Sequence, residues 1–414
     1  MIYWHRNMPA VNNILFFTIF RYFEFGISSF LFLYLANIVT PDEYGTSSRS
    51  FILITLSAFL ALGTNQVVVK WFGKFKDTSN KFSLILFGTS INFIASIVAL
   101  TIVSYLISED YWFYSGLIAS GKLVQENFCT INRIHKKLLN VNIIYLSNVL
   151  PLALIFLFLE ISTMHDFFRL WSFCIWFSVL VSLFISSRQI KQYRFVGSNF
   201  KNFFQNKARN LILDGVKLAS IGLLVPLISS GDKLLISFMS LNPSKLGNLQ
   251  LADNIAMVIS FGFGAIVYAI TPTYLDLLRN KEIDIKDFFI KGYLILIISI
   301  ALVIIIIQFS EPVFIYFFPN YDLVHPLTFY VLTKTLITGM FMFNISVLVF
   351  SDELRYIKLI GSTLIIFIIL VLLIILVPFN DIDIFYLAPI CGSISMMFLH
   401  FMSISSSRRF RGLI

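Results

Sequence analysis

The feature that most limits what this chain can fold into is a set of long stretches with no charged residue. Phe82 to Ser108 runs 27 residues without one, Leu138 to Leu159 and Leu359 to Asn380 run 22 each, and Ile384 to Ser407 runs 24. A helix of roughly 20 apolar residues crosses the hydrocarbon core of a bilayer. It also satisfies its own backbone there, where no water is available. Only 13% of the 414 residues are charged and 58% are hydrophobic, against about a quarter charged in soluble domains. An ordinary soluble enzyme and a disordered chain are both excluded. The expected fold is an all-α integral membrane protein of about 12 transmembrane helices. The spans are 11–39, 50–69, 82–107, 112–131, 138–159, 167–187, 211–238, 247–274, 292–309, 324–350, 357–377 and 384–407. No small-residue cleavage site follows the first span, which is read as retained and not as a signal peptide. The 46 phenylalanines are read as lipid-facing bulk, and Trp71, Trp112, Trp171 and Trp176 as interfacial anchors. Pro151, Pro226, Pro272 and Pro389 could kink the spans they lie in or near.

Orientation follows from where lysine and arginine fall. With a cytoplasmic N-terminus, 23 of the 31 basic residues lie on inner segments beside seven acids, and four lie outside beside eleven acids. The inner side then carries about +16 and the outer side about −7, within a chain of net charge +9. Both termini come out cytoplasmic. The longest inner loop, Arg188 to Asn210, holds six basic residues and no acid. It is read as a topology determinant lying against anionic headgroups, not as a nucleic-acid site. Six spans precede it and six follow. Two lobes, 1–187 and 211–414, are therefore expected on either side of a 188–210 linker, related by a pseudo-twofold axis along the membrane normal. A short internal echo agrees: Pro41-Asp-Glu-Tyr-Gly45 follows span one and Pro243-Ser-Lys-Leu-Gly247 follows span seven.

Eight charges remain inside the spans: Arg21, Glu24, Lys122, Glu126, Asp214, Lys217, Asp253 and Lys334. Each costs roughly 2.5–3.5 kcal/mol at the bilayer centre on insertion scales and so faces the bundle interior or water. Arg21/Glu24 and Asp214/Lys217 are spaced i,i+3 and Lys122/Glu126 i,i+4, so each pair shares a helix face. Local neutralisation is one reading of these pairs. The other is a basic central cavity formed by Arg21, Lys122, Lys217 and Lys334, where arginine grips an anion bidentately and lysine acts as a point charge. Lys334 has no partner on its own helix and lies too deep to snorkel easily; Asp253, also unpartnered on its helix, is nearer the interface. Asp232 is counted with the outer charges. Cys129, Cys174 and Cys391 lie in apolar stretches and the five histidines are scattered, so no disulfide framework, metal site or cofactor is expected.

Three stretches resemble the polysaccharide-transporter branch, with the O-antigen flippases, of the multidrug/oligosaccharidyl-lipid/polysaccharide flippase superfamily. They are Tyr34 to Gly45 with the segment Leu62-Gly-Thr-Asn65; Gly222 to Pro226 through Gly231-Asp-Lys233, Leu246-Gly247 and Ala252; and Glu311-Pro312 through Phe318 and Tyr321. Two positions depart from the pattern: Leu249 stands where the family usually shows tyrosine, and Pro226 is displaced to four residues after Gly222. The resemblance implies a transporter, not an enzyme, in the cell (inner) membrane. It implies that a polyisoprenyl-pyrophosphate-linked oligosaccharide crosses from the cytoplasmic to the periplasmic leaflet by alternating access. Arg21, Lys122, Lys217 and Lys334 would hold its pyrophosphate or acidic sugars. Glu24, Glu126, Asp214, Asp253 and Asp232 would serve as charge partners or in ion coupling. The implied partners are the lipid-linked oligosaccharide, membrane lipids and other polysaccharide-assembly proteins. A drug exporter of the same superfamily and a membrane polysaccharide polymerase are the alternatives.

Overall fold

A computed structural model describes residues 8–159, 161–193, 197–238, 242–258, 285–349, 353–376 and 381–407. Among them the chain is helical, with no strand. The helices are α1 (Met8–Ile38), α2 (Pro41–Ser57), α3 (Thr64–Phe72), α4 (Thr78–Leu106), α5 (Trp112–Ile134), α6 (Leu138–Phe158), α7 (Met164–Ile190) and α8 (Gly197–Phe238). They continue as α9 (243–258), α10 (Ile285–Phe317), α11 (Val324–Val349), α12 (Glu353–Leu376) and α13 (Asp381–Ser407). The expected spans fall on these helices one for one, apart from span two. The second part of span eight, with Pro272, lies outside the described residues, as do Arg6, Arg279, Lys281 and the terminal arginines.

The helix starts follow from local chemistry. Asp77 caps α4 by accepting from the backbone N–H groups of Ser79 and Asn80, and Thr163 caps α7 by accepting from that of Asp166. Each supplies a partner to donors that a helix leaves open at its N-terminus. The two echoed pentapeptides are also helix starts, not loops. Thr40 Oγ1 accepts from the Glu43 N–H at 3.3 Å with Pro41 opening α2. Asn242 Oδ1 accepts from Ser244 N–H at 3.0 Å with Pro243 opening α9. Proline suits the first helical position because its missing N–H would have no partner there.

Expected span two is broken. A 3-10 turn (Ala58–Ala61) leads into Leu62 and Gly63, both left-handed at φ 50° and 64°, and α3 leaves at 41° to the axis before the break. The basic segment 188–210 is largely helical: α7 runs to Ile190 and α8 starts at Gly197. At 42 residues α8 is roughly 63 Å long, about twice the hydrocarbon thickness. Its N-terminal part packs within unit one, with Phe203, Ala208 and Leu211 buried among Val67, Val68, Phe75, Leu84 and Phe87. α10 likewise continues through Glu311 and Pro312 to Phe317.

Five helices pass the length and apolarity needed to cross a bilayer among the described residues, and the broken α2–α3 pair makes a sixth if counted as one span. Their outer faces expose large apolar side chains, such as Phe93 and Ile94 at 61% and Phe184 at 67%. Water would not tolerate such continuous patches; lipid does. The chain is a multi-pass, all-α membrane protein.

Packing divides it into two compact units. Unit one holds α1 as far as Tyr34 and the stretch Ser50–Ser220, and unit two holds Leu35–Arg49 and the described residues from Ile221 onward. In unit one α5 packs against α4, α6 and α7, and in unit two α11, α12 and α13 pack together. Unit two brings the pentapeptides into reciprocal contact. A Cβ on Gly45 would lie 1.9 Å from the Pro243 carbonyl oxygen, and a Cβ on Gly247 would lie 2.0 Å from that of Pro41. Tyr44 beside them is fully buried, and its hydroxyl accepts from Asn254 Nδ2 at 2.5 Å. Only glycine permits this approach of two backbones. Gly247→Ala is expected to destabilise the protein by about 1–3 kcal/mol through overpacking, seen as a lower melting temperature. Gly361→Ala, where a Cβ meets nothing within 4 Å, should be neutral or stabilising by up to about 1 kcal/mol.

Candidate functional site

In unit one six side chains of α5 form a stripe. Lys122, Gln125, Glu126, Cys129, Asn132 and Arg133 recur at intervals of three and four, which places them along one side of the helix. The uncharged members are held by neighbouring helices. Gln125 Nε2 donates to Ser178 Oγ at 2.7 Å, and Asn132 Nδ2 donates to Ser186 Oγ at 2.7 Å and to the Phe128 carbonyl. These bonds satisfy amides that would otherwise be costly to bury.

Two of the charged members, Glu126 and Arg133, converge on Tyr145 of α6. Its hydroxyl donates to Glu126 Oε1 and accepts from Arg133 Nη2 at 3.0 Å, and the Arg133 Nη2 to Glu126 Oε2 distance is 3.9 Å. From α1, the Arg21 guanidinium lies over the Tyr145 ring at 3.8 Å and pairs with Glu24 at 2.8 Å. Lys122 sits over the Trp171 ring at 4.8 Å, within electrostatic range of Glu24 and Glu126. Three cations face two carboxylates, so the cluster carries a net charge of +1. It is also accessible: the side chains of Arg21, Glu126 and Arg133 are 35%, 38% and 41% exposed. A charge exposed along a spanning helix faces water, not hydrocarbon.

The charges of unit two are arranged differently. Lys334 of α11 pairs with Asp232 of α8 at 2.6 Å, and the neighbouring Lys233 pairs with Asp253 of α9. All four side chains are at most 6% exposed. Two sequence-based readings change here. Lys334, unpartnered on its own helix, has a partner from another, and Asp232 and Lys233, counted as outer charges, lie buried within α8. Asp214 is not with Lys217. It accepts from Trp71 Nε1–H at 3.1 Å and pairs with Lys70 at 3.5 Å, both on α3, while Lys217 is exposed. Asp214 and Gly215 together fasten α8 to the break in span two, since a Cβ on Gly63 would lie 2.3 Å from the Gly215 carbonyl oxygen.

The structure thus brings Arg21, Glu24, Lys122 and Glu126 together and places Lys334, Asp232 and Asp253 in separate buried pairs. Sorting charges by compartment missed Tyr145, which carries none, and assigned Arg133 to a loop. The α5 stripe was the available signal for Arg133. For Asp232 and Lys233 the signal was their isolation, since no other charge occurs between Lys217 and Lys245. Among the described residues no three His, Cys, Asp or Glu side chains are grouped to hold a metal ion. Breaking a buried pair leaves an uncompensated charge and costs about 3–5 kcal/mol, whereas replacing both members by apolar groups is often neutral. Lys334→Met should therefore lower thermal stability strongly, and Asp232→Leu combined with Lys334→Met should recover most of the loss in the same melting assay.

No family model and no curated protein sequence matches the chain. Its fold does match solved structures. An inward-facing multidrug resistance MATE family transporter of the MOP superfamily aligns over 95% of this chain and 96% of its own, at 10% identity and a TM-score of 0.65. The lipid II flippase MurJ in an inward closed conformation aligns over 94% and 87%, at 14% identity and a TM-score of 0.63. A mutant of the Vibrio cholerae MATE transporter VcmN aligns over 97% and 98%, at 13% identity and a TM-score of 0.61. Across nearly its whole length the chain shares the fold of these solved structures.

Proposed function

We propose that this protein moves a polyisoprenyl-pyrophosphate-linked oligosaccharide, an O-antigen or similar repeat unit, from the cytoplasmic to the periplasmic leaflet of the inner membrane by alternating access. The observation that carries this reading is the accessible, net-positive cluster of unit one. Arg21 and Lys122 rest on aromatic faces, which stabilise a cation, and Glu24 pairs closely with Arg21 alone, so one positive charge of the cluster stays in excess. That excess attracts an anion, with Lys122 as its point charge and the Arg21 guanidinium suited to a phosphate. Lys217, exposed on α8, is a further candidate cation outside the group that meets at Tyr145. Lys334 contributes to the stability of unit two through Asp232, and Asp253, Asp214, Glu24 and Glu126 are the acids open to ion coupling. The sequence resemblance to O-antigen flippases supports the substrate class, and so does the structural likeness to a lipid II flippase.

The charge distribution favours outward movement from a cytoplasm that is electrically negative. Each uncompensated negative charge gains about 2.3 kcal/mol per 100 mV on leaving. A second reading, export of small organic molecules, draws on the likeness to multidrug transporters. It fits a net-positive cluster less well, because cationic drugs call for uncompensated acids.

Complementation of a deletion strain separates the readings. Arg21→Ala and Lys122→Ala, expressed at the normal level, should each lower surface polysaccharide about tenfold, the scale of losing one charged hydrogen bond. Lipid-linked repeat units should accumulate on the inner face. Normal polymer from both variants would remove the proposal, and loss of drug resistance with intact polymer would favour the second reading.

A further inference from the structure

We infer that Glu126 is an internal stand-in for the phosphate of the ligand: its carboxylate holds the Tyr145 hydroxyl and the Arg133 guanidinium until a phosphate oxygen takes its place. This rests on the reading of the chain as a carrier of a phosphate-bearing lipid. It adds two residues to the site, Tyr145 and Arg133, and gives Glu126 a regulatory part.

Four observations carry it. First, the donors converge. Tyr145 O–H and Arg133 Nη2 meet at one carboxylate, and Arg21 is held face-on over the same tyrosine ring. Second, the Glu126–Arg133 contact is loose, at 3.9 Å from one nitrogen to one oxygen. A bidentate arginine–carboxylate pair would be shorter and harder to open. Third, the cluster is open where the two buried pairs of unit two are shut. Glu126 is 38% exposed, whereas the Lys334–Asp232 and Lys233–Asp253 side chains are between 0% and 6% exposed. Fourth, a displaced Glu126 has somewhere to go. Lys122 stands one turn back on α5 at i−4, in electrostatic contact with Glu126, and residues so spaced can pair.

Glu126 thus has cations on both sides along α5. In the structure it holds Tyr145 and Arg133; on turning back towards Lys122 it leaves those donors to the ligand, while the ammonium, with three N–H donors, serves carboxylate and ligand together. No bond is made or broken in the exchange beyond hydrogen bonds and ion pairs. The internal carboxylate lowers the affinity for every anion that lacks the charge density to displace it. A pyrophosphate, with more charge and more acceptor oxygens than a single carboxylate, is favoured over sulfate-like or carboxylate-bearing competitors. Easy reversal of the exchange also keeps the ligand from being held too tightly to leave.

The test is direct binding to the full-length protein in nanodiscs. Polyprenyl pyrophosphate is the probe, with inorganic pyrophosphate as the tail-free arm and polyprenyl alcohol as the phosphate-free arm. Glu126→Gln and Glu126→Ala should each bind polyprenyl pyrophosphate about tenfold more tightly than wild type, the scale of one charged hydrogen bond. Tyr145→Phe, which keeps the ring beneath Arg21 and loses the shared donor, should bind it more weakly. Polyprenyl alcohol should be unaffected by all three. A purely structural network would move the variants the same way, toward weaker binding and lower stability. Unchanged or weaker binding by both Glu126 variants overturns the inference while leaving the function standing. Binding of neither phosphate probe by wild type or any variant overturns the function and the inference with it.

Discussion

A charge placed in a membrane-spanning helix must be answered by another group, and most of this structure follows from how each one is answered. Unit two answers with carboxylates. Lys334 and Lys233 are matched by Asp232 and Asp253 at sites nearly closed to solvent, so desolvation is offset by a close opposite charge. Because Asp232 and Lys233 are adjacent on α8 and their partners lie on α11 and α9, the two pairs also tie three helices together. Unit one answers partly with aromatic rings. Arg21 over Tyr145 and Lys122 over Trp171 are stabilised by the negative ring faces, and with two carboxylates set against three cations one positive charge stays uncancelled. The first arrangement makes a scaffold and the second leaves a surplus that a ligand can meet.

Backbone proximity is the second constraint. In lipid, apolar side chains gain little by packing on each other, so helices associate through close fit at small residues. Gly63 with Gly215 in unit one, and Gly45 with Gly247 in unit two, put a backbone carbonyl where a Cβ would stand. The second contact joins two segments of like design, a capping Thr40 or Asn242, a proline at the first helical position and a glycine four residues on. Because each glycine meets the proline carbonyl of the other segment, the contact has the reciprocity of a local twofold relation. A weak sequence echo thus acquires a physical reason, since both copies must satisfy the same steric condition.

Much of the fold was legible because the bilayer imposes it. Charge-free runs of more than 20 residues leave little choice but spanning helices, and the helix bounds of α4, α6 and α7 lie within a few residues of the spans read from sequence. The break at Leu62 and Gly63 was not legible. Gly63 and the polar Thr64, Asn65 and Gln66 stand there, but such residues also occur within unbroken spans, and the left-handed turn lies where α8 passes at Gly215. The extension of α8 to Gly197 was hidden for a related reason: six basic residues in 188–210 speak for a position outside the hydrocarbon, but say nothing about helix against loop. At the site, charges sharing a helix face were found from spacing alone, as with Arg21 and Glu24. Pairs joined across the fold were not, because Asp232 and Lys334 are 102 residues apart and no local pattern links them.

Tyr145 shows why charge counting finds a site and misses its working part. A tyrosine in an apolar helix looks like packing, and its ring does pack, with Cys129, Val141 and Ile144. Its hydroxyl is the one group that can accept from Arg133 and donate to Glu126 at the same time, while its face receives Arg21. A phenylalanine would keep only the last of these, and a carboxylate would cancel the surplus charge. An amide could bridge the two charged side chains but offers no ring. The phenol thus holds two cations and an anion in register without altering the net charge. That combination lets unit one keep its +1 surplus ordered and open, where an ordinary ion pair would have closed it.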